Sequence, residues 1–288
     1  MNQITTETVA EPSQQSKEAK MAYPSIKQGW GIFGLLILVT ICYAMPLGII
    51  GMFYPDIQQG PFHLLNYSIP IVILIFITRS WWKKNPKNDS TIQFKGFPLA
   101  ILPVVLIMTI SLVVIHSEIA SWVPMPDWLV DVFKEFLQPN IWGFITIVIA
   151  APILEEILLR GIVLNGLLRN YSPWKAIIWS SVFFGVIHLN PWQFVTAMIA
   201  GMVIGYLYWK TKSLWLCILI HAVNNGIAFY LTVKYSEVTN FSELFNIGTG
   251  ERIGLFIGAG LCLWGSYLFY EKYFNSQSET NRCNKTEK

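Results

Sequence analysis

The feature that most constrains this chain is a succession of apolar runs as long as a bilayer is thick and almost empty of charge. They lie at about 30–54, 62–82, 97–115, 141–161, 174–189, 192–209, 214–233 and 253–270. A helix crosses the hydrocarbon core with about 20 apolar residues, about 17 at the short end; 174–189 is slightly short by that measure and 192–209 marginal. Of the 288 residues, 13% are charged and 53% hydrophobic, with a mean hydropathy of +0.48. So little polar material cannot clothe a soluble globule of this size. The predicted fold class is therefore all-α, a polytopic membrane protein with about eight transmembrane helices in the lipid bilayer. A soluble enzyme, a disordered chain and a secreted disulfide scaffold are excluded. A net charge of +3 without a basic, aromatic-interleaved patch points to no nucleic-acid partner. Cys42, Cys217 and Cys262 lie in apolar stretches and Cys283 in a polar one, with no metal-type spacing.

Three regions follow. Residues 1–29 read as a polar, disordered tail without the apolar core of a signal peptide; 30–270 form the transmembrane domain, and 271–288 a polar C-terminal tail. Eight alternating spans with the N-terminus in the cytoplasm put 17 Lys and Arg residues inside and leave only Lys134, Lys234 and Arg252 outside. That bias orients the chain with both termini cytoplasmic. Tryptophans such as Trp30, Trp81, Trp142, Trp174 and Trp215 mark segment ends as interfacial anchors do. In the outer loop 116–140, Trp128, Val132 and Phe136 recur at helical spacing, which predicts a short surface helix. No internal repeat is visible, which weighs against a transporter.

Ionisable side chains are expensive inside a membrane and mark function by default. Here they concentrate in one part of the chain: Glu155, Glu156 and Arg160 in APILEEILLRG, His188 in FFGVIHLNPW, and His221 with Asn224 and Asn225 in IHAVNNG. His63 and His116 fall at segment ends and read as structural. Helical neighbours diverge by about 100°, so Glu155 and Glu156 cannot share a face. Glu156 and Arg160, four apart, predict a structural charge pair. Glu155 then has no partner on its own helix and suits a general base or acid. Pro152 predicts a bend just before the carboxylates. At 1.5 Å per residue, Glu155 and His188 lie about 20 Å from their helix ends, and His221 and Asn225 about 10 and 17 Å. Such depths allow one shared cavity. A lone membrane histidine also serves simply as a hydrogen bond between helices.

The order Glu155-Glu156-x-x-x-Arg160, Phe184-x-x-x-His188, His221-x-x-x-Asn225 resembles the three motifs of the CPBP family of CAAX proteases and bacteriocin-processing membrane proteins. The resemblance covers about 141–233, the expected catalytic core. It implies a multi-pass endopeptidase of the cell membrane, its cavity facing the cytoplasm, acting on a membrane-associated peptide or protein. In that reading Glu155 activates water, His188 helps to position it, and His221 and Asn225 stabilise the oxyanion. The family is described both as glutamic-type and as metal-dependent. No cofactor is expected on the first description, whereas zinc on the second would take Glu155, His188 and His221, without any HExxH motif. Two other readings stay open: a catalytically silent immunity or regulatory protein on the same fold, and a transporter relaying protons through Glu155 and the histidines.

Overall fold

The computed structural model describes residues 21–54, 60–88, 92–122, 125–235 and 246–286. The chain folds into helices α1 (Ile26–Gly51), α2 (Pro61–Lys84), α3 (Leu102–Trp122, entered through the 3-10 turn Leu99–Ile101) and α4 (Asp127–Leu137). A run of helical turns from 141 to 170 forms α5, followed by α6 (Pro173–Val186), α7 (Pro191–Thr211), α8 (Leu214–Lys234) and α9 (Thr249–Thr286). Among the described residues, six helices are long and apolar enough to cross a membrane: 26–51, 61–84, 99–119, 191–211, 214–234 and 249–276. The fold is all-α and polytopic, as the hydropathy predicts.

Local chemistry accounts for the helix starts. Ser25 and Gln28 make a reciprocal capping box on α1. Pro61, Pro173 and Pro191 occupy first-turn positions, where a missing N–H costs nothing. Asn140, Asn190 and Ser213 cap α5, α7 and α8 through their side-chain oxygens. Residues Leu158–Leu164 of α5 are buried on every side, which makes α5 the centre of the core.

Three boundaries differ from expectation. Helix α1 begins at Ile26, inside the stretch read as a disordered tail, and Ala22 and Tyr23 are buried. The cause is an extended strap. Asn170 pairs with both backbone groups of Ala22, Asn88 with both of Tyr23, and Asn85 binds the carbonyl of Met21. Residues 1–20 lie outside the described residues. At the other end α9 continues as helix through Thr286, past the point where a polar tail was expected. Helix α6 has only 14 residues, about 21 Å against a hydrocarbon core of about 30 Å.

Contacts between distant parts of the chain gather at two ends of the bundle. One end gathers the strap, Arg169 bonded to the Lys87 carbonyl, and Phe94 bridged to Ser213. The opposite end gathers Arg252 paired with Glu118 at 3.0 Å, and Trp122 against Phe256. The predicted surface helix is α4, and Trp128, Val132 and Phe136 are exposed along it.

Candidate active site

Helix α5 is not uniform. Two π-helical stretches, Ile145–Ala150 and Ile157–Leu164, flank the α-helical turn Ala151–Glu156. In the first, the Ala151 N–H bonds back five residues to Thr146. The next carbonyl in that register is Ile147, whose donor would be Pro152, and Pro152 has no N–H. Asn225 of α8 fills the gap, its Nδ2 donating to the Ile147 carbonyl at 3.0 Å. The bend expected at Pro152 is thus realised as a change of helical pitch clipped from a neighbouring helix.

The following turn carries the two carboxylates. Glu156 and Arg160 are fully buried, and Arg160 Nη1 donates to Glu156 Oε1 at 2.9 Å. His221 Nδ1 donates to that same oxygen, also at 2.9 Å. Arg160 Nη2 reaches the Gly201 carbonyl at 3.2 Å, and its guanidinium lies 4.8 Å over the Phe184 ring. Gly201 also lets α7 pack closely on α6 at this level, because a Cβ there would lie 3.1 Å from Ser181 of α6.

Glu155 has different company. Its Oε1 accepts the Tyr67 hydroxyl from α2, whereas Oε2 is buried with no hydrogen-bond partner. His221 Nε2 stands 3.9 Å from that oxygen, beyond hydrogen-bond reach. The carboxylates diverge as helical geometry demands, yet one imidazole from α8 faces both.

His188 is placed apart. Its Nδ1 lies 2.8 Å from the Phe184 carbonyl, so Nδ1 carries the proton and Nε2 presents its lone pair in the neutral ring. The Phe184 ring packs edge-on against both imidazoles, 5.3 Å from His188 and 5.4 Å from His221. Leu189 follows at φ 56, and Asn190 closes the turn by donating to the His188 carbonyl and accepting from Gln193 N–H. Among the described residues, no hydrogen bond or ion pair joins His188 to Glu155. No group of three His, Cys, Asp or Glu side chains there could hold a metal ion. Glu155, His188 and His221 therefore do not fit a zinc ligand set as they stand.

Two site residues escaped sequence reasoning. Tyr67 left only a faint signal, the polar stretch Asn66-Tyr67-Ser68 within a mostly apolar run, and Asn190 left none beyond its place before Pro191. By contrast, His63 is buried against Phe136, 5.0 Å between ring centroids, in keeping with a structural role.

Residues 137–227 match the family model of the type II CAAX prenyl endopeptidase Rce1-like proteins. That matched segment is about a third of the chain. It contains Glu155, Glu156, Arg160, His188, His221 and Asn225, and it excludes Tyr67. The chain is also 32% identical over 95 residues to the putative membrane peptidase YdiL of Bacillus subtilis (strain 168). That alignment covers 33% of this chain and 38% of the relative, so the chain spans well under half the length of the curated protein it matches. No solved structure matches the chain.

Proposed function

We propose that this chain is a membrane-embedded endopeptidase that hydrolyses a peptide bond in a membrane-associated protein or peptide, its cavity facing the cytoplasm. The observation that carries this reading is the unpartnered Oε2 of Glu155, buried mid-helix and faced by His221 Nε2 at 3.9 Å, within the Rce1-like segment. A separation of that size is one that a single oxygen can bridge with a hydrogen bond to each side.

In this mechanism a water held in the gap gives its proton to Glu155 as its oxygen attacks the peptide carbonyl. Two carboxylates, one guanidinium and an imidazolium sum to zero, so the buried cluster is balanced with His221 doubly protonated. Its Nε2–H then donates to the oxygen on which negative charge develops. Asn225 gives one amide hydrogen to Ile147 and keeps a second for the same oxyanion. Glu155 returns its proton to the departing amine, and His188 Nε2 accepts a hydrogen bond from water entering the cavity. No step is routed through zinc.

The test is cleavage of a library of membrane peptides, with and without a lipid group, by purified protein in detergent. Glu155→Gln keeps the volume and removes the base, and should lower turnover by about 10²–10⁴-fold at unchanged expression. Undiminished cleavage by that variant sinks the mechanism. A wild type that cleaves nothing while carrying proton-coupled flux in liposomes favours the relay reading instead.

A further inference from the structure

We infer that Tyr67 of α2 is a positioning residue that divides the labour between the two oxygens of Glu155; this rests on the reading of Glu155 as the base. Its hydroxyl occupies Oε1, and Oε2 is left as the free oxygen facing His221. A carboxylate that is free to turn about its last torsion offers either oxygen indifferently. One anchored by a donor offers only the other.

Tyr67 is itself held in place. Its ring packs against Phe136 of α4 at 6.1 Å, and Phe136 also meets His63, one turn before Tyr67 on α2. On the other side, Asn66 accepts a hydrogen bond from Tyr43 of α1. Pro70 has no N–H for the Asn66 carbonyl, so the backbone ladder of α2 is interrupted next to Tyr67. The residue thus ties α2 and α4, outside or at the edge of the family-matched segment, to the base in the middle of α5, while its neighbour Asn66 holds α1.

Two side chains from other helices bear on Glu155: the Tyr67 hydroxyl of α2 at Oε1, and His221 of α8 facing Oε2. His188, in the turn that follows α6, is bonded to the Phe184 carbonyl and does not join them. Tyr67 supplies the neutral donor in that set, and removing it frees the carboxylate to turn away from the geometry that offers Oε2 to the gap.

The experiment compares wild type, Tyr67→Phe and protein carrying 3-fluorotyrosine at position 67, which keeps the ring and strengthens the donor. Two readouts are taken: kcat and KM on a cleaved reporter peptide, and the infrared carboxylate stretch of Glu155 at one fixed pH, assigned by its loss in Glu155→Gln. Tyr67→Phe should lower kcat about tenfold with KM little changed and should move the carboxylate stretch. Fluorotyrosine should retain turnover and move the stretch in the opposite direction. If neither substitution moves the stretch, or if Tyr67→Phe leaves kcat unchanged, Tyr67 is only a packing residue. The infrared measurement needs no turnover, so it decides about Tyr67 even if the endopeptidase reading fails. Active Glu155→Gln alongside a shifted Tyr67→Phe stretch refutes the base and leaves the hydrogen bond standing.

Discussion

Glu155 and Glu156 are neighbours in sequence and opposites in environment. Both keep one buried oxygen without a hydrogen bond, but Glu156 is fully buried and shares its other oxygen between an arginine and a histidine, whereas Glu155 meets a neutral phenol and turns its free oxygen toward His221. The first arrangement suits a charge that has to stay where it is. The second suits a charge that has to change during a reaction. A helix turn of about 100° is enough to separate the two tasks, because it points each side chain at a different neighbouring helix. His221 belongs to both, held by Glu156 and facing Glu155, so the sealed side orients the reactive one.

This contrast can be broken by experiment. Glu156→Ala leaves Arg160 buried and unpaired, and the loss of a buried partner costs about 3–5 kcal/mol, read as a fall in thermal stability and in folded yield. Glu156→Met with Arg160→Met should recover most of that stability while abolishing turnover, because His221 loses its anchor. A double variant no more stable than the single one would show that the pair is not what holds this turn.

A smaller effect is expected at Asn225. Asn225→Ala strips the Ile147 carbonyl of its donor and should cost about 1–3 kcal/mol. Pro152→Ala returns a backbone N–H to the same stretch, so the double variant should be more stable than Asn225→Ala alone. If activity stays low in that stabilised double variant, the amide has a chemical duty beyond the clip. The least effect is expected at the rim of the bundle, where Glu118 is buried but its partner Arg252 keeps a third of its side chain in solvent. Glu118→Gln should change stability by no more than about 1 kcal/mol, measured by thermal denaturation at low and high salt. A loss as large as that of Glu156→Ala would erase the distinction between sealed and rim charges.

Much of this organisation was legible beforehand because the membrane simplifies the code. Apolar length marks the helices, and a charge within a span stands out against its background. The i,i+4 spacing of Glu156 and Arg160 predicted their contact, which the structure has at 2.9 Å. What stayed hidden depends on neighbours distant in sequence. Tyr67 lies 88 residues from Glu155, and tyrosine in a membrane helix is too ordinary to flag. Nor does any pattern of residues announce π-turns: Pro152 signals a missing donor, but whether the helix kinks or changes pitch depends on Asn225 being within reach. The strap at 21–25 was missed for a related reason, since its hydrogen bonds come from asparagines 65 and 148 positions away.

The pitch change in α5 has a consequence for how this helix tolerates alteration in length. A π-turn is the footprint of one residue more than an α-helix would seat over the same rise. Deleting a residue within Ile145–Ala150 should therefore let that stretch relax to ordinary α-helix instead of breaking it. The turns on either side would then keep nearly their present azimuth and rise, because the extra residue is already absorbed within the π-turn. A deletion within the α-helical turn Ala151–Glu156 has no such slack: the helix beyond it would rotate by about 100° and move by about 1.5 Å, taking the carboxylates away from the partners they meet on α2 and α8. In phase terms the first π-stretch is a length buffer beside a turn whose length is fixed.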